Sequence, residues 1–71
     1  MNRNDFNTEL KQYRVWLTGR SMSASYDGYV DVLAEDEEAA EYRAKRELTR
    51  PGGTFSDWTR SMFKTEKVER R

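Results

Sequence analysis

The chain has 71 residues, 37% of them charged, with 13 basic and 13 acidic side chains and a formal net charge of zero. A chain of this length makes one small domain with a thin core, because it buries only about 60% of the surface that its unfolded form exposes. It contains neither Cys nor His, which excludes a disulfide framework, a thiolate nucleophile, sulfur and imidazole metal ligands, and the usual neutral-pH general base.

Residues 1–10 are polar, with Phe6 as their single aromatic, and read as a flexible N-terminal arm ahead of one small domain at 11–71. The arm reads as a frayed terminus and, compatibly with that, as a segment that orders on a partner, with Phe6 and Leu10 as anchors on one helical face. From Lys11 to Arg20 the pattern has period two. Tyr13, Val15 and Leu17 point one way and Arg14, Trp16 and Thr18 the other, as in a half-buried strand. Trp16 beside Arg14 reads as a cross-strand packing residue or an exposed recognition residue, packing being preferred. Ser21 to Ser25 is small and flexible, Asp27-Gly28 is a turn signal, and together they predict a hairpin loop. Tyr29 to Ala34 alternates again, with Val30, Val32 and Ala34 on one face and Tyr29, Asp31 and Leu33 on the other. So short a connection makes the two strands antiparallel.

The next element is a helix. Asp36 is suited to the N-cap, Glu37 and Glu38 fill the first turn, and Arg43, Lys45, Arg46 and Arg50 fill the far end, all matching the helix dipole. Ala40, Ala44 and Leu48 form one stripe, a flat buried face that lets the helix lie close on a sheet. Pro51, Gly52 and Gly53 stop it. Thr54 to Arg60 is mixed, compatible with a short strand or a single helical turn. Met62 to Arg70 reads as a weakly alternating, highly charged edge strand, with Met62, Lys64, Glu66 and Val68 on one face and Phe63, Thr65, Lys67 and Glu69 on the other. The expected fold is small α+β. One helix packs on an antiparallel or mixed sheet of three to four strands, in the chain order strand, strand, helix, strand.

Chemistry is sparse. The acidic run Glu35–Glu38 is explained by capping and dipole matching rather than by a metal or acid-pair site. The serines at 21, 23 and 25 have no His to activate them, and Pro51-Gly52-Gly53 follows a helix where a phosphate loop would precede one. The sequence therefore predicts no enzyme, no cofactor and no metal. The longest apolar run, Val15-Trp16-Leu17, is far short of a membrane span, and a soluble cytosolic monomer that makes no membrane contact is expected. Charge is segregated: residues 1–42 carry four bases against nine acids and residues 43–71 nine bases against four acids, balances of −5 and +5. Such a dipole steers encounters with charged partners. Phe55, Trp58 and Phe63 interleave with the bases as in nucleic-acid binders, but a pI near 6.3 argues against an autonomous one. Nucleic acid is expected only as a contact within a larger complex.

The polar arm, a strand, a loop, the strand-to-helix unit YVDVLAEDEEAAEYRAK and a short last strand together resemble small early proteins of bacteriophages. Among these the layout of residues 13–70 is similar to phage-encoded inhibitors and regulators of host bacterial RNA polymerase. The resemblance implies a stoichiometric inhibitor in the host bacterial cytoplasm. It would dock on a large polymerase subunit, displace the initiation factor or alter promoter opening, and affect termination as well. Partner binding would then fall to Arg3, Asp5, Phe6, Glu9 and Leu10 of the arm with Arg14 and Trp16. A basic surface of Arg43, Arg46, Arg50, Arg60, Lys64 and Lys67 would face nucleic acid or an acidic polymerase surface. The alternative is a phage anti-defence protein, an anti-CRISPR or anti-restriction inhibitor whose acids at 27–41 mimic DNA.

Overall fold

The computed structural model describes residues 9–71, so Arg3, Asp5 and Phe6 lie outside the described residues. Strand β1 covers Lys11–Arg20, β2 Ser25–Ala34 and β3 Phe63–Arg70; helix α1 covers Glu37–Leu48, and a 3-10 turn at Arg60–Met62 leads into β3. The sheet order is β2-β1-β3 with both pairings antiparallel. This is the expected α+β plan, with three strands among the described residues. Because β2 and β3 both oppose β1, they run parallel to each other. Helix α1 lies on the path that carries the chain from one edge of the sheet to the other.

The hairpin turns earlier than its sequence signal suggests. Ser21 N–H donates to Ala24 O at 2.8 Å, and Ser21 Oγ accepts from the backbone N–H of Ser23 and Ala24 at 3.3 and 3.2 Å. Asp27 and Gly28 instead sit inside the ladder, opposite Thr18 and Leu17. A Cβ on Gly28 would meet Tyr26 Oη at 2.9 Å, so a side chain there would have to push aside the end of the Tyr26 ring.

Helix α1 is capped as expected, Asp36 Oδ1 accepting from Ala39 N–H at 2.8 Å. Ala40 and Ala44 are fully buried and Leu48 is partly buried against the same core. The helix ends ahead of Pro51, where the Thr49 N–H and Oγ1 both donate to Lys45 O, at 3.2 and 3.0 Å. Gly52 then turns the chain at φ +83°, a left-handed conformation that glycine adopts without steric cost.

Strand β3 departs from simple alternation. Trp16 pairs with Lys67 and Leu17 with Thr65, leaving Glu66 as an extra residue, a β-bulge. A bulge resets the parity of the side chains beyond it. Phe63 and Thr65 therefore share the helix face with Val68, while Lys64, Lys67 and Glu69 share the opposite face, since residues paired across a ladder point to the same side. The faces expected from strict alternation hold only up to Thr65 and are exchanged after the bulge.

The core has two halves. Under α1 lie Tyr13, Val15, Leu17 and Ala34 with Ala40 and Ala44. Beyond the helix end, the row Tyr26, Gly19 and Phe63 crosses the three strands, and Phe55 and Trp58 from the 49–59 connection fold over it. Phe55 meets Tyr26 and Trp58 edge-on at 5.2 and 4.8 Å between ring centroids, and Trp58 stacks on Phe63 at 5.1 Å. The segment whose structure the sequence leaves open is thus an aromatic lid held by contacts far away in the chain.

Candidate binding surface on the open sheet face

Helix and aromatic lid cover one face of the sheet. The pairing register places Gln12, Arg14, Trp16, Thr18 and Arg20 of β1 on the other face. Beside them are Asp27, Tyr29, Asp31 and Leu33 of β2 and Lys64, Lys67 and Glu69 of β3. At its centre the Trp16 and Tyr29 rings are tilted against one another at 4.9 Å. The Arg14 guanidinium lies 4.0 Å above the Tyr29 ring, in cation-π range. The same guanidinium donates from Nε to Asp31 Oδ1 at 2.8 Å and from Nη2 to Asp31 Oδ2 at 3.1 Å. This two-pronged bond holds the Asp31 carboxyl below the usual carboxylate range and raises Arg14 further. Arg14 is thereby fixed in place, a planar donor already oriented before any partner arrives.

Trp16 packs across the strands, the reading preferred for its position, and it also forms part of the surface, being half-buried. Its indole Nε1 is covered and has no hydrogen-bond partner among the described residues. Tyr29 and Leu33 remain 46% and 50% exposed, an apolar pair on a face with no cover among the described residues. Neither residue stands out in the sequence as a contact, although the alternation of β2 already puts both on the face away from the valines. Glu9 and Leu10 are exposed just ahead of β1.

The basic half of the sequence does not form one surface. Arg43, Arg46, Arg50 and Arg60 line a groove whose other wall is β2 from Val30 to Leu33. Lys64 and Lys67 lie on the open face along β3, at the opposite edge of the sheet. The aromatic residues expected to interleave with these bases are occupied elsewhere, since Phe63 is 4% exposed and Phe55 and Trp58 pack over it. On the open face itself Arg14, Arg20, Lys64 and Lys67 are matched by Asp27, Asp31, Glu66 and Glu69. That balance suits a protein surface better than a phosphate backbone.

The acids at 35–41 are in part engaged. Asp36 caps the helix and Glu35 lies 3.7 Å from Arg43, while its backbone oxygen accepts from Lys11 Nζ at 3.0 Å. Among the described residues no helix is long and apolar enough to cross a membrane. The chain matches no family model, and neither a curated protein nor a solved structure matches it.

Proposed function

We propose that this protein is a non-catalytic binding module that docks on another protein through the open face of its sheet. The observation that carries the reading is the cluster of half-buried Arg14 and Trp16 with exposed Tyr29 there, because Trp, Tyr and Arg are the residue types on which protein interfaces concentrate their binding energy. The guanidinium, oriented by Asp31, supplies a polar group beside them. Neighbouring Leu33 extends the apolar contact.

For the partner, the layout of the chain supports a bacterial RNA polymerase, with inhibition of initiation in the cytoplasm of a phage host as the outcome. Exposed Leu10 stands where the arm joins β1, so arm and open face would form one continuous contact. The test is promoter-dependent transcription by purified bacterial RNA polymerase, with the protein titrated in. Inhibition should saturate near one equivalent and be lost in Tyr29→Ala with the fold retained. Absence of both binding and inhibition would remove the polymerase, and full activity of Tyr29→Ala would remove the open face.

A further inference from the structure

Strands β2 and β3 are both edges of the sheet, yet they differ as edges. β3 is protected in the ways sheet edges usually are, with a bulge at Glu66 and lysines at 64 and 67. β2 has none of these devices. It pairs with β1 through ten consecutive residues without a register shift, contains neither Pro nor Lys, and among the described residues pairs with β1 alone. Half of the backbone N–H and C=O groups of such a strand point away from its sheet, ready to receive another strand.

Beside this bare edge runs the arginine groove. Its floor and wall include Val30, Asp31, Val32 and Leu33, residues from both faces of β2, so the groove follows the edge itself. Arg43, Arg46, Arg50 and Arg60 overhang it from α1 and the segment after it. Two acids share the lining. Asp31 is bound by Arg14 and Glu47 lies 3.5 Å from Arg50. Arg46 has no acidic partner among the described residues, and Arg60 rests on the Tyr42 ring at 5.3 Å.

We propose that β2 and this groove form a docking site for an extended acidic peptide segment of a partner protein, which adds to the sheet as a fourth strand. Alternate side chains of the added strand would point toward the arginines and carry the acids. The intervening ones would emerge on the open face beside Tyr29 and Leu33 and would be apolar. The backbone pairing gives affinity and the arginines select the charge. A second copy of this chain is the poorer occupant. Antiparallel pairing of two β2 edges about a two-fold axis would bring the two arginine sets against one another. The site borders the proposed open-face docking surface at Tyr29 and Leu33 but differs from it in Arg46 and Arg60, which lie outside that face and select the acids.

The test uses a fluorescent peptide of about eight residues, the length of an ordinary strand, alternating Glu with Val. Its binding to the full chain is followed by anisotropy, and the β2 amides by hydrogen exchange. Binding should weaken with salt, protect outward-facing amides of β2, and fall about tenfold in Arg46→Glu/Arg60→Glu, while Tyr29→Ala retains most of it. Two changes to the peptide alone probe the mode without touching the protein's fold. Replacing Glu by Lys should abolish binding, and placing Pro at alternate positions should do the same by removing backbone donors. Equal binding of the Lys or Pro peptide overturns the proposal. So does a dimer in sedimentation that buries the β2 amides without peptide, or equal competition by a single-stranded oligonucleotide.

Discussion

Gly19 and Phe63 face each other across β1 and β3, and a Cβ on Gly19 would lie 2.7 Å from Phe63 Cδ1 and 3.1 Å from Trp58 Cζ3. The space a side chain would fill at Gly19 is occupied by the two rings. Neither ring is the free end of a flexible chain: Phe63 is 4% exposed and sits among Tyr26, Phe55 and Trp58.

Gly19→Ala should therefore destabilise by about 1–3 kcal/mol, the usual range for overpacking, and lower the melting temperature by roughly 4–8 °C per kcal/mol in a domain of this size. Gly53→Ala is a milder comparison, because its nearest neighbour is 3.2 Å away, in a turn. Equal melting temperatures for wild type and Gly19→Ala in thermal unfolding would show that the ring stack is loose.

Deleting Glu66 should be tolerated by the fold. Without it the remaining residues of β3 alternate regularly, Phe63, Thr65 and Val68 inward and Lys64, Lys67 and Glu69 outward, the faces they already occupy. The deletion removes the hydrogen bond that Glu66 accepts from Thr18 at 3.0 Å, which is exposed to solvent and contributes little. It also straightens a guarded edge, so self-association that rises with concentration is expected. An unfolded product by circular dichroism, or a variant as monomeric as the wild type in sedimentation, would count against this account of the bulge.

The Arg14–Asp31 pair predicts a pH effect of defined sign. The hydrogen bond from Arg14 holds Asp31 in the folded chain below its ordinary value of 3.8. Its contribution is present in full above that value and disappears as pH falls through the lower folded one. The stability difference between wild type and Asp31→Asn should accordingly be constant from neutral pH down to about pH 5 and shrink in stronger acid. Denaturant unfolding at neutral and acid pH measures it. A difference that does not change with pH would mean the pair adds nothing to folding.

Binding groups on opposite edges should behave independently. We expect the reductions in association caused by Lys64→Ala/Lys67→Ala and by Arg60→Ala, with a polymerase or any other captured partner, to add, since the lysines lie on the open face along β3 while the Arg60 side chain lines the groove beside β2. Removing residues 2–10 should reduce binding to the polymerase without lowering the melting temperature, the described strands beginning at Lys11. Surface-plasmon kinetics at several salt concentrations would resolve each effect, and a strongly non-additive triple variant would place the bases in one contact.

The elements legible in the sequence are those fixed by local chemistry. The span of β1 follows from the alternation of Tyr13, Val15 and Leu17, and the start of α1 from Asp36 and its two following acids. What is not legible depends on residues distant in the chain. Asp27-Gly28 carries turn chemistry, yet both residues pair with Thr18 and Leu17 inside the ladder. Phe55 and Trp58 have no period of their own because Tyr26 and Phe63 position them. The split of the basic residues between two edges follows from α1 crossing the sheet, which no local pattern encodes, and the bulge at Glu66 becomes visible only against the partner register.

The two tryptophans lie on opposite sides of the sheet, Trp16 among Arg14 and Tyr29 and Trp58 within the aromatic lid. The molecule thus carries two intrinsic optical reporters with separate duties. Light emitted from Trp16 should respond to occupancy of the open face, and light emitted from Trp58 to opening of the lid. In a Trp58→Phe variant a shift of the emission maximum on adding a partner reads docking alone; in Trp16→Phe the same measurement during heating reads loosening of the core. A lid held by side-chain contacts and turn bonds rather than by a ladder is expected to open before the strands part, so the Trp58 signal should change at a lower temperature than the far-ultraviolet dichroism.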